Sequence, residues 1–289
     1  MKRCLGCERT VVSDVFDCPA CGYRPVRLDG TLSFAPDLAD DERDFARAGF
    51  ARLAAVEPGN YWFESRNRLV GWMLRRYFPA GRSFFEVGCG TGFVLAGIHA
   101  AFPELAVAGG EMSLEGIVHA RRRLPGVPLF QIDARHLPFE AEFDVMGSFD
   151  VLEHIDDDES VIAEMFRAAK RGGGAIVTVP QHPSLWSPVD DISRHKRRYT
   201  RTEMVTKLTR AGWHVLRATS FVSLLAPLMF ITRARTRRTA ARRPPDSELE
   251  VPRALNVVLG QALGVERALI RAGVSFPVGG SLLIVAAKR

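Results

Sequence analysis

Three groups of residues have the types and spacing to do chemistry. Between residues 83 and 98 a short apolar strand ends at Glu86 and Val87. Gly88, Gly90 and Gly92 follow at alternate positions, and a helix opens near Phe93. Glycines in such a place let the backbone turn sharply and come close to a ligand, and they leave amide donors at the helix start. Four of the five cysteines stand within the first 21 residues, as Cys4-x-x-Cys7 and Cys18-x-x-Cys21. Each pair can form a tight turn presenting two thiolates, and four thiolates suit a tetrahedral zinc ion; a redox pair or unliganded thiols is the alternative. Asp150, Glu153 and His154 form a D-x-x-E-H cluster just past a strand end, with His182 and His195 further on. A histidine there serves as a general base where it reaches the reacting proton. The plainer reading has Glu153 capping a helix with His154 packed beneath it.

The glycine run reads E-x-G-x-G-x-G, not the G-x-G-x-x-G of dinucleotide-binding turns. An acid ahead of the first glycine suits a cationic ammonium better than a pyrophosphate, which favours S-adenosylmethionine (SAM) over a nicotinamide nucleotide. The elements downstream agree. Residues 106–111 read as a second strand ending in Glu111, residues 129–134 as a third ending at Asp133 and Ala134, residues 143–150 as a fourth containing Phe149, and residues 175–180 as a fifth. A helix is expected from about Val161 to Lys170, stopped by Gly172–Gly174.

From roughly Tyr61 to the carboxyl end the chain thus resembles the class I SAM-dependent methyltransferases. It looks closest to their small-molecule and lipid-precursor group, which includes ubiquinone-pathway O-methyltransferases. The resemblance implies an α/β, Rossmann-like fold with a seven-stranded sheet whose last strand is antiparallel. It implies that Glu86, Gly88, Gly90, Gly92, Glu111, Asp133, Ala134 and Phe149 line the cofactor site, with Glu111 accepting the ribose hydroxyls and Asp133 reaching the adenine amino group. Glu153, His154 and His195 become the catalytic candidates. Some relatives hold a divalent metal with an E-x-x-E-H cluster and a later histidine; here Asp150 stands where the first Glu would be.

The elements that must position these residues divide the chain into a zinc ribbon over residues 1–28, a linker and helix over 29–60, and a methyltransferase domain over 61–289 with an insertion at about 221–280. The linker helix is expected to begin among the acids at 40–44. Tyr61 to Phe78 reads as an amphipathic helix, with Leu69, Val70, Met73 and Leu74 on its apolar face and Arg66, Arg68, Arg75 and Arg76 elsewhere. At 289 residues and 47% hydrophobic the chain has ample material for a core, which excludes a largely disordered protein, and no run approaches the ~20 apolar residues that span a bilayer. The first residues are polar, without an apolar signal region, and the cysteines form no disulfide scaffold, so a cytoplasmic location is expected.

The net charge of +6 is unevenly spread: between Arg194 and Arg243 fourteen Lys and Arg face a single acid, Glu203, leaving the remainder acidic. Arg197, Arg198 and Tyr199 are candidates to engage an anionic group, or else solvated surface residues. The apolar run at 221–231 followed by arginines could lie peripherally on a membrane surface. The function expected is O-methylation of a small-molecule or lipid-linked acceptor. The alternatives are an RNA methyltransferase tracking phosphates with residues 194–243, and a SAM-binding protein without catalysis.

Overall fold

The computed structural model describes residues 1–13, 15–39, 47–238 and 251–289. The amino-terminal segment pairs β1 (Lys2–Arg3) with β2 (Thr10–Val11) in a small antiparallel sheet of its own. A hairpin of β3 (Val26–Leu28) and β4 (Thr31–Ser33) follows, then α1 (Arg47–Val56) and α2 (Tyr61–Tyr77). The acids at 40–44, expected to open the linker helix, lie outside the described residues. The main α/β body alternates β5 (Ser83–Val87), α3 (Phe93–Ala101), β6 (Ala106–Glu111), α4 (Leu114–Arg123), β7 (Leu129–Gln131), β8 (Phe143–Phe149), α5 (Asp158–Ala168) and β9 (Ala169–Pro180). It closes with α6 (Pro188–Ile192), α7 (Arg201–Arg210), β10 (His214–Phe221), α8 (Ala226–Arg238), α9 (Arg253–Arg271) and β11 (Ser281–Ala287).

Among the described residues the central sheet has nine strands, not the seven expected, in the order β10-β11-β9-β8-β5-β6-β7-β4-β3. β5, β6, β7, β8 and β9 run parallel, and β11 inserts antiparallel between β9 and β10. Of the two extra strands, β3 falls at the end of the supposed ribbon and β4 in the supposed linker; β4 pairs parallel with β7, and Ser33 Oγ donates to the buried Gln131 side chain at 2.6 Å. The linker expected from residue 29 therefore begins as a sheet edge. A second correction concerns Gly172–Gly174. The helix ends at Ala168, and the glycines lie inside β9, where a Cβ on Gly174 would sit 2.2 Å from the Phe78 ring. Gly173 and Gly174 permit close approach, and Gly172 takes a left-handed φ of +77°, rather than stopping a helix.

The parallel strands are buried on both faces, as their nearly continuous apolar sequence requires. One face packs Phe85, Phe139, Met146 and Val177 with α5 and α7; the other packs Phe84, Leu95, Val145 and Leu283 with α2, α3 and α4. This leaves the carboxyl ends of β5, β6 and β8 open to a common cleft.

Candidate active site

The cleft has a volume of about 1300 Å³ and is lined at its floor by Glu86, Gly88, Gly90, Glu111, Asp133, Ala134 and Phe149. The sequence-predicted cofactor residues thus come together, apart from Gly92, which lies one step behind. Gly92 caps α3 at φ +75°, and a Cβ there would meet the Ala120 backbone at 2.9 Å. Gly90 faces the other way: at φ +52° its added Cβ would find only Phe50, at 4.0 Å, and otherwise open cleft.

Glu111 at the end of β6 accepts the Gly90 N–H at 2.9 Å and the Ser113 N–H at 3.0 Å. Burial pushes its carboxyl up, against those backbone bonds. Two bonds leave it with further lone pairs for hydroxyl donors. Glu86 is buried, and its Oε2 has no hydrogen-bond partner among the described residues. An orphaned carboxylate oxygen beneath a glycine turn fits an ammonium donor, and the open space over Gly90 fits a ligand lying against the backbone. The residues present therefore suit SAM. Asp133 is held by Arg135, whose Nε and Nη2 donate at 2.9 and 2.7 Å. Burial works to raise Asp133, but these bonds outweigh it and keep the carboxyl low.

Beyond the cofactor floor stand Glu153, His154 and His195. Leu152–His154 forms a single 3-10 turn after β8, and the later loop brings His195 back over it. The two imidazole rings meet edge to face with centroids 4.8 Å apart, and His195 Nε2 is 3.9 Å from Glu153 Oε1. Glu153 is fully buried with neither oxygen hydrogen-bonded within the described residues. Burial, then the neighbouring Asp150 charge, drives its carboxyl well above the usual range. The reading of Glu153 as a helix cap is overturned by those unbonded oxygens; the acid that caps α5 is Asp157, which accepts the Ser160 N–H at 3.1 Å.

Asp150 does not join this group. Its carboxylate pairs with the Arg66 guanidinium and accepts Thr178 Oγ1 at 3.2 Å. Arg66, expected on the polar face of α2, is instead buried and lies over the Trp62 ring at 4.5 Å. The three donors left, Glu153, His154 and His195, lie within 4.8 Å of one another and could receive a divalent ion or a hydroxyl. Arg197, Arg198 and Tyr199 are neither an anion site nor solvated surface. Arg197 pairs with Asp158 at 3.3 Å, Arg198 is buried against Asp190, and the buried Tyr199 hydroxyl donates to Asp158 at 2.6 Å.

At the amino terminus, the Cys4 and Cys21 sulfurs are 3.5 Å apart and those of Cys7 and Cys18 3.7 Å. All four lie within 4.8 Å of one another. A tetrahedral zinc with Zn–S bonds of ≈ 2.3 Å needs sulfur separations of about 3.8 Å, so the set fits that ion.

Comparison with known proteins bears on this arrangement. A probable S-adenosylmethionine-dependent methyltransferase of Mycolicibacterium smegmatis is 30% identical over 172 residues, covering 58% of this chain and 65% of that one. The chain thus spans a little under two thirds of that relative. Among solved structures, the phosphoethanolamine N-methyltransferase 2 of Haemonchus contortus with bound SAM superposes with a TM-score of 0.56 at 17% identity, over 87% of this chain and 59% of that one. A SAM-dependent methyltransferase of Thermotoga maritima gives 0.54 at 18%, over 84% and 96%. Residues 85–177, which hold the glycine turn, Glu111, Asp133 and the Glu153–His154 turn, match the family described as a methyltransferase domain. The chain has the Rossmann-like fold of class I methyltransferases.

Proposed function

We propose that the protein is a SAM-dependent methyltransferase acting on a hydroxyl of a small-molecule or lipid-linked acceptor. The observation that carries this reading is the cleft floor, where an open glycine turn, an orphaned Glu86 oxygen and the strand-end acid Glu111 lie beside a separate histidine and carboxyl group. Glu86 would hold the ammonium of the cofactor, Glu111 the ribose, and Asp133 with Ala134 and Phe149 the base. Bound SAM supplies a methyl group already activated by its sulfonium. What the protein adds is alignment and the management of one proton. Arg66 and Asp150 fix the wall between α2 and β8, while Glu153, His154 and His195 face the place where an acceptor hydroxyl must lie.

The lipid-linked choice is supported by the upper cleft, which Leu225, Leu228 and Met229 at the start of α8 and Leu259 of α9 line beside Thr232 and Arg233. The four amino-terminal thiolates hold a structural zinc, because four sulfurs leave no open coordination position.

Calorimetry with S-adenosylhomocysteine (SAH) tests the cofactor assignment. The expected result is that the protein binds it and Gly90→Val does not, whereas heat with a nicotinamide nucleotide and none with SAH would reject it. Transfer from isotopically labelled SAM to a cell lipid extract, against total RNA, then tests the acceptor class, and label in RNA alone would overturn the lipid assignment.

A further inference from the structure

We infer that Asp190 is the positioning residue for His195: it holds the Nδ1 edge of the imidazole and so turns Nε2 toward Glu153 and the cleft as the proton acceptor. This deepens the methyl-transfer reading and rests on it for the identity of the proton. Asp190 lies in α6, in the loop after β9, and its side chain is wholly buried. His195 Nδ1 is 2.8 Å from Asp190 Oδ1, and the His195 backbone N–H donates to the Asp190 carbonyl at 2.8 Å, so side chain and main chain are both fixed to one residue.

An ionised carboxylate only accepts, which places the ring proton on Nδ1 and leaves the lone pair on Nε2. The carboxylate is kept ionised by its surroundings. Burial would raise it, but His195 and the two-pronged Arg198, with Nε at 2.7 Å and Nη2 at 3.0 Å, hold it down at about 2. The Ser187 N–H and Oγ–H complete its shell at 2.8 and 3.0 Å. Arg198 also balances the charge, so the orienting acid is not an unpaired ion in the cleft wall.

The far nitrogen has room to act. Nε2 lies 3.9 Å from Glu153 Oε1, too far for a direct hydrogen bond, so an oxygen seated to one side, about 2.8 Å from each, can bridge them. The His154 ring stands edge-on to His195, and the groups facing the imidazole are Asp190, Arg198, Glu153 and His154. In the step, the acceptor hydroxyl gives its proton to Nε2. Its O–H electron pair becomes the new oxygen–carbon bond, while the carbon–sulfur bond breaks toward sulfur and leaves a neutral thioether. The imidazolium keeps its Nδ1–H on Asp190, as in carboxylate–histidine pairs generally.

The test is imidazole nitrogen NMR on the full-length protein, with His195 assigned from His195→Gln, with and without SAH at mildly alkaline pH. The expected result is a neutral ring protonated on Nδ1. In Asp190→Asn that preference falls by at least tenfold, SAH affinity stays within about twofold, and transfer to the lipid extract drops on the order of a hundredfold. A wild-type ring protonated on Nε2 overturns the inference even where Asp190→Asn does not fold. So does a shift of the His195 resonances on adding Mg²⁺, which would make Nε2 a metal ligand. Absence of SAH binding by the wild type rejects the methyl-transfer reading instead, and leaves the ring result to be judged separately.

Discussion

The proposed contact between Glu86 and the cofactor's ammonium has a consequence in pH. Burial pushes its carboxyl well above the usual range, against the pull of Arg66 and with Glu57 and Glu111 adding to the rise. A cationic ammonium favours the ionised form, so its arrival displaces a proton. Affinity for SAH must then increase with pH through the range in which free Glu86 loses its proton. Calorimetry in two buffers of different ionisation enthalpy should give unequal heats. In Glu86→Gln the difference should vanish and affinity fall about tenfold or more, as for the loss of a charged hydrogen bond worth about 1.5–3 kcal/mol. Equal heats in the wild type would detach Glu86 from the ammonium. The place of Glu86 in the cleft was legible in the sequence because it stands at a strand end just before the glycine run. Arg66 was not. Helical spacing separates an apolar stripe from the rest of α2, but it does not say which of four arginines a residue 84 positions later will draw inward. Asp190 was missed for the same reason: the partners of a buried acid, here Arg198 and His195, are set by how a loop closes rather than by periodicity.

The amino-terminal elements show where the sequence pattern gave out. β3 and β4 are three residues each, too short for an alternating pattern, and they become strands only because β7 offers an open edge. The amino-terminal segment with the four cysteines is fastened to that same side of the body. Lys2 pairs with Glu142 at 2.7 Å, Arg3 with Glu164 at 3.2 Å, and Phe16 packs against Phe34 and Phe130. Zinc held by Cys4, Cys7, Cys18 and Cys21 would thus stabilise the sheet edge as well as its own turns, since so small a unit draws its folding energy from the metal. Native mass spectrometry should find one zinc per chain. Chelation, or Cys7→Ser, should lower the thermal midpoint by about 5 °C, corresponding to roughly 2 kcal/mol. A metal-free protein with an unchanged midpoint would refute the assignment. The spacing of the cysteines was readable at once because the two pairs are local, whereas the docking of their segment onto β7, α5 and the stretch before β8 depends on contacts across more than a hundred residues.

At the scale of the whole molecule, the concentration of positive charge between 194 and 243 divides into two parts. Lys196, Arg197, Arg198 and Lys207 are matched by Asp156, Asp158 and Asp190 from other elements, so this half serves the fold. The arginines from 233 onward follow an apolar run in which Ile231 is half exposed, and on α9 Val258 is 59% exposed. No helix among the described residues is long and apolar enough to cross a membrane. An exposed apolar run followed in sequence by arginines suits the surface of an anionic bilayer, where each Arg contributes about 1 kcal/mol and each buried aliphatic side chain about 1.5–3 kcal/mol. The protein should therefore float with phosphatidylglycerol vesicles and not with phosphatidylcholine vesicles, and should detach as salt is raised. Ile231→Glu combined with Val258→Glu should weaken vesicle binding by more than tenfold while SAH affinity is kept, because neither residue lines the cleft. Retention on total RNA at matched salt, with no flotation on either vesicle, would assign the arginines to phosphates of another kind and remove the membrane from the proposal.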